Sequence, residues 1–117
     1  MSTPVGPYTP TIRAGDWIVV SGQLGLENGA LVEGGLKPQV TQAIHNIEAL
    51  LRNHSASIID VVKTTVLLAD ISDYAEMNEA YTQAFGSHRP TRAAYAVAGL
   101  PLGALVEIEA WAYSPRV

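Results

Sequence analysis

The chain contains no cysteine, which removes disulfides, thiolate nucleophiles and cysteine metal sites together. Charge is also sparse: 15% of residues are Asp, Glu, Lys or Arg, against about 25% in ordinary soluble domains. The seven Lys and Arg are scattered, with only Arg89 and Arg92 close in sequence, and the net charge is −4. Nucleic-acid binding needs a clustered basic surface, so this balance argues against it. No apolar run approaches about 18 residues, and the first residues lack a basic-then-apolar signal segment, so neither membrane spanning nor export is expected. A cytoplasmic protein is the default expectation. Phosphate loops are missing too, since Gly22, Gly25, Gly34 and Gly35 fit neither Gly-x-x-x-x-Gly-Lys nor Gly-x-Gly-x-x-Gly. His45, His54 and His88 stand at separations that give no helical pair of ligands, so no metal site is expected.

What remains is largely apolar, 48% of 117 residues. A chain of this length reads as one domain, residues 1–117, and buries only about two-thirds of its unfolded surface. Part of its apolar excess should therefore be covered by another subunit. Pro4, Pro7 and Pro10 stiffen the first segment and hold Tyr8 among them. Trp17 to Ser21 is β-branched and apolar and reads as a strand that Gly22 ends. Gln23 to Leu26 and Ala30 to Val32 flank the turn Glu27-Asn28-Gly29, a short hairpin on the strength of Asn-Gly. After Gly34-Gly35, the apolar residues Val40, Ile44, Ile47 and Leu51 follow helical spacing, with Pro38 tolerated in the first turn. Ile59 to Leu68 reads as a buried central strand. Asp70, Ser72 and Asp73 offer helix-start oxygens, Tyr74, Met77, Tyr81 and Phe85 form a stripe, and Gly86 ends the helix. Arg92 to Val97 and Leu105 to Tyr113 read as a closing hairpin joined by a Gly/Pro turn. The order β-β-(β)-α-β-α-β-β predicts a two-layer α+β (α/β) sandwich, both helices on one sheet face. The other face is left for a neighbouring subunit.

The last hairpin carries the chemistry. Strand side chains alternate, so Glu107 and Glu109 share a face. Charges within apolar strands are costly unless paired or useful. A guanidinium grips a carboxylate with two parallel hydrogen bonds, so Arg92 is a candidate anchor for an organic acid. It is equally suited to a structural ion pair with Glu107 or Glu109, and residue type alone does not separate those two glutamates. Tyr8 can offer a positioned hydroxyl or simply cap the core. Ser21 lies in no nucleophile elbow and has no histidine partner motif, which leaves a hydrogen-bonding or turn role. Asn78 is a poor helix former, so either an inward hydrogen bond or a solvated face explains it. Trp17, Trp111 and Tyr113 read as core and interface filler.

Seven blocks in register, among them Gly6-Pro7-Tyr8, Val20-Ser21-Gly22-Gln23, Val62 to Val66, Asp70 to Tyr74, Met77 to Tyr81, Pro90 to Tyr95 and Val106 to Ala110, resemble the RidA/YjgF family. The resemblance covers essentially the whole chain. It implies a chorismate-mutase-like α/β fold, a homotrimer with clefts between subunits, and hydrolysis of 2-imino or enamine acids to 2-keto acids and ammonia without a cofactor. It also implies that Arg92 binds the substrate carboxylate, that Glu107 positions the attacking water, and that Tyr8, Ser21, Gly22 and Asn78 line the cleft. Many members carry cysteine where this chain has Ala94, a departure that bears on substrate preference more than on activity. A non-catalytic module that binds keto or amino acids is the alternative from another class, and endoribonuclease activity, also attributed to the family, is a third.

Overall fold

The computed structural model describes residues 4–116; Met1, Ser2 and Thr3, part of the segment expected to carry no export signal, lie outside them. Nine regular elements follow in order: β1 (Thr11–Ala14), β2 (Trp17–Leu24), β3 (Leu26–Glu27), β4 (Ala30–Leu31), α1 (Leu36–Arg52), β5 (Val61–Leu68), α2 (Tyr74–Phe85), β6 (Thr91–Ala96) and β7 (Val106–Tyr113). The main sheet is mixed and ordered β1-β2-β7-β5-β6, with both helices packed on one face. The expected α+β sandwich is what forms. Three local expectations need correction. A strand, β1, precedes Trp17; Gly22 lies inside β2 rather than ending it; and a 3₁₀ turn at Ile58–Asp60 delays β5 until Val61.

A fourth correction changes the topology. β6 and β7 are not a hairpin. β6 pairs in parallel with β5 (Thr64 beside Arg92), and β7 pairs antiparallel with the other edge of β5 (Thr64 beside Ala110). β5-α2-β6 is thus a strand-helix-strand crossover, the connection that parallel neighbours require. β6 ends as an edge strand, with one row of backbone groups unpaired by the sheet.

The helices form where the apolar periodicity predicts them. Val40, Ile44, Ile47 and Leu51 are at most 2% exposed, and burying each such side chain contributes about 1.5–3 kcal/mol. Asn28 and Gly29 both take positive φ, as the two-residue hairpin turn between β3 and β4 demands. Asp70 accepts from the Ser72 amide at 2.9 Å and starts the turn that leads into α2. The helix stops at Gly86, whose φ of 67° suits a residue without Cβ.

The face away from the helices is bare. Along β7, Val106, Ile108, Ala110 and Ala112 are buried under the helices, while Glu107, Glu109, Trp111 and Tyr113 point outward. Trp17 joins them, edge-on to Trp111 and Tyr113 at ring separations of 6.2 and 5.1 Å. The three rings are therefore surface groups of this face and not core.

Candidate functional site

Four of the seven sequence candidates line one cleft, Arg92 stands in a second place, and Asn78 and Ala94 lie on the adjoining stretches of α2 and β6. The first place is a cleft of 330 Å³ at the N-terminal end of β7, lined by Val5, Tyr8, Ser21, Gly22, Glu107 and Glu109 among others. Ser21 builds it. Its amide donates to the Pro10 carbonyl at 2.8 Å and its hydroxyl to the Thr9 carbonyl at 2.7 Å, fastening the proline-rich segment to the β2 bulge. That segment carries Tyr8, a residue 44% exposed beside the cleft. Ser21 is thus a tether, in agreement with its lack of a triad.

In its present position the Glu107 carboxylate leaves no room for a Cβ at residue 22. A Cβ there would overlap the carboxylate, only 2.8 Å from its Cδ. The acid lies against bare backbone where β2 bulges, and a side chain at Gly22 would push it out of this position. The entry to its strand is anchored as well, because the Leu105 amide donates to the buried Gln39 side chain at 2.9 Å. Burial raises the Glu107 pKa above the usual glutamate value, and the neighbouring Glu109 charge adds to the rise. Among the described residues the ion pairs are Lys37–Glu79 and Arg52–Glu48, so Glu107 has no cation beside it.

The second place surrounds Arg92 on β6. Register puts Arg92 beside Thr64, on the face that α2 covers. Its guanidinium stands 5.5 Å from the Tyr74 ring centroid and 4.9 Å from that of Tyr81. It donates to the Tyr74 hydroxyl at 3.0 Å and approaches the Met77 sulfur at 3.9 Å. None of these neighbours is an anion. Asn78, one residue along α2 from Met77, has a buried Oδ1 that lacks a hydrogen-bond partner, so its polar end turns inward rather than to a solvated face. Ala94, two residues beyond Arg92, packs against the core on the same face.

The pairing of Arg92 with Glu107 or Glu109 within one protomer does not occur. The acids point to the bare face and the arginine to the helix face. Two strand spacings and three residues of register place the Arg92 and Glu107 Cα atoms roughly 14 Å apart. Residue spacing alone misses this because the face of one strand says nothing about that of another until register is known. It also misses Tyr74 and Tyr81 as neighbours of Arg92. The available signal is two hydroxyl-bearing rings seven positions apart in an otherwise apolar stripe. The histidines stay apart: His54 meets Thr11 and His88 the Val61 carbonyl, at 3.2 and 2.7 Å. Among the described residues no helix is long and apolar enough to cross a membrane.

Residues 1–114 match the endoribonuclease L-PSP family. The chain is 46% identical over 108 residues to human 2-iminobutanoate/2-iminopropanoate deaminase, covering 91% of this chain and 79% of that one. Its fold is similar to that of RidA from an Antarctic Psychrobacter, with a TM-score of 0.90, 41% identity and coverage of 95% and 91%. It is also similar to Escherichia coli TdcF with bound serine, at a TM-score of 0.88, 32% identity and coverage of 94% and 90%.

Proposed function

Because the chain belongs to the endoribonuclease L-PSP family, the RidA/YjgF family, we propose that it hydrolyses 2-imino acids and their enamine tautomers to 2-keto acids and ammonia. The reaction takes place in clefts between the protomers of a homotrimer. One observation carries this reading: among the described residues a cation and an acid, neither with an opposite charge beside it, stand half-buried on opposite faces of one sheet. Such groups can act on one small molecule only if the Arg92 edge of one protomer meets the Glu107 face of another. The aromatic bare face is the surface that such an assembly would cover. The relatives' names supply the substrate class, since the human protein is named for 2-iminobutanoate and 2-iminopropanoate and the TdcF structure holds an amino acid.

In this reading Arg92 clamps the substrate carboxylate and fixes the adjacent C=N carbon in the cleft, an orientation effect that can contribute several kcal/mol (up to about 7–11 in the best cases). Glu107, its proton affinity raised by burial, takes a proton from water as the oxygen adds to that carbon. The nitrogen gains a proton, the C–N bond of the carbinolamine breaks, and ammonia leaves with the bonding pair as the C=O forms. The Tyr8 hydroxyl, the backbone at Gly22 and the unpaired edge at Ala94 are the groups available to the tetrahedral intermediate, with Ser21 holding Tyr8 in place and Asn78 lining the cleft beside Arg92. The step asks for no metal or organic cofactor, because a protonated imine carbon is already electron-poor.

The test is ammonia release from enzymatically generated 2-iminopropanoate with wild type and Arg92→Ala. The variant should lose about 10²-fold or more of the catalysed rate. Equal rates would eliminate the assignment, and wild-type binding of 2-oxobutanoate with no effect on imine lifetime would replace the enzyme by a binding module.

A further inference from the structure

Tyr81 is 4% exposed and yet carries a hydroxyl, which lies 2.7 Å from the buried Thr64 hydroxyl on β5. Its ring packs at a tilt against Phe85, centroids 4.6 Å apart, and stands 4.9 Å from the Arg92 guanidinium carbon. The ring is thus located from two directions, by the Thr64 hydroxyl and by Phe85. Burial pushes the Tyr81 pKa above the usual tyrosine value, so the phenol stays protonated and adds no counter-charge to the arginine. Tyr74 offers Arg92 a second ring at 5.5 Å but is 41% exposed, and so is the less rigid of the two. Arginine is a long side chain with many rotamers, and gripping a ligand requires that one of them be fixed. A buried aromatic face fixes the plane of the cation while leaving its charge free, which a carboxylate partner would not do.

We propose that Tyr81 is a positioning residue for the reaction: pinned by Thr64 and Phe85, its ring sets the plane of the Arg92 guanidinium so that two N–H groups meet the two oxygens of a substrate carboxylate. This rests on the reading of Arg92 as the carboxylate anchor. Thr64 acts one step further back, holding the ring that holds the cation.

The experiment compares Tyr81→Leu, Tyr81→Phe, Thr64→Val and Arg92→Ala as assembled proteins of native size. Calorimetry reads their affinity for 2-oxobutanoate, and ammonia release from 2-iminopropanoate gives kcat and KM separately. Tyr81→Leu should weaken 2-oxobutanoate about tenfold and raise KM similarly, with kcat within about twofold. Tyr81→Phe keeps the ring and should stay within about threefold of wild type, while Thr64→Val should fall between the two. A purely structural role would lower the melting temperature without separating KM from kcat. Equal weakening in the Leu and Phe variants, a loss confined to kcat, or unchanged affinity in Tyr81→Leu would each overturn the proposal. Should Tyr81→Leu fail to assemble, Thr64→Val decides: affinity and KM identical to wild type would sink it. Undiminished binding by Arg92→Ala is a separate result, which removes the anchor itself rather than its support.

Discussion

Arg92 and Glu107 belong to one sheet but are held by opposite means. The arginine lies on the edge strand under α2, and its direction is set by side chains: two tyrosine rings, one of them with its hydroxyl, and a thioether sulfur. The glutamate sits against the sheet itself, and its direction is set by a missing side chain, the hydrogen at Gly22. A cation gripped by rings keeps its charge available, whereas an acid pressed onto bare backbone loses solvent and becomes more basic. In the proposed trimer each half would be finished in its own protomer, and assembly would bring the two together.

The sharpest way to break this comparison is Glu107→Gln. If the acid is the base for water, kcat/KM should fall about 10²–10⁴-fold, and the loss of wild-type activity on acidification should have its midpoint above the ordinary glutamate pKa. An unchanged acid limb in the variant would show that another group titrates there. Gly22→Ala leaves both reagents intact and moves one of them, and a displacement of about 1 Å should lower kcat by about 10²-fold. Wild-type kcat in that variant would mean that the acid can relocate without consequence.

Mixing tests the meeting directly. Arg92→Ala and Glu107→Gln chains, unfolded and refolded together in equal amounts, should regain activity in about a quarter of the clefts, because random assembly gives that fraction both native groups. No recovery over the separate variants would place the whole site within one chain. The smallest effect is on stability. The Glu107 pKa is raised by folding, so its stabilising contribution is present below the unfolded glutamate pKa and is lost as pH climbs through the folded value. Glu107→Gln should therefore melt at a higher temperature than wild type at about pH 7 and at the same temperature at about pH 3. A lower melting temperature near neutrality would show that the ionised acid stabilises the fold.

Much of the fold is legible in the sequence because it depends on local chemistry: the 3.6-residue stripes, Asn28-Gly29, the Asp70 cap and Gly86 each act over a few residues. The closing hairpin misleads because Gly99 and Pro101 between two apolar strands look like a turn that joins neighbours. The strand-helix-strand run from Val61 to Ala96 holds the contrary signal, since parallel pairing of β5 with β6 leaves β7 the other side of β5. Gly22 reads as a terminator but marks a bulge, the commoner meaning of glycine inside a strand pattern. At the site, residue type picks out Arg92 and the two glutamates, but the choice of Glu107 comes from family likeness. Its physical basis is a contact with Gly22 that is remote in sequence. The aromatic bracket around Arg92 is invisible for a related reason: Tyr81 packs as core on one side and as a support on the other.

Both tryptophans of the chain, Trp17 and Trp111, emerge on the same uncovered face. Tryptophan emission, excited beyond the tyrosine absorption band, consequently reports the wetness of that one surface. If the proposed trimer forms over that face, a dilution series watched for a red shift would follow its protomers parting, with no dye attached.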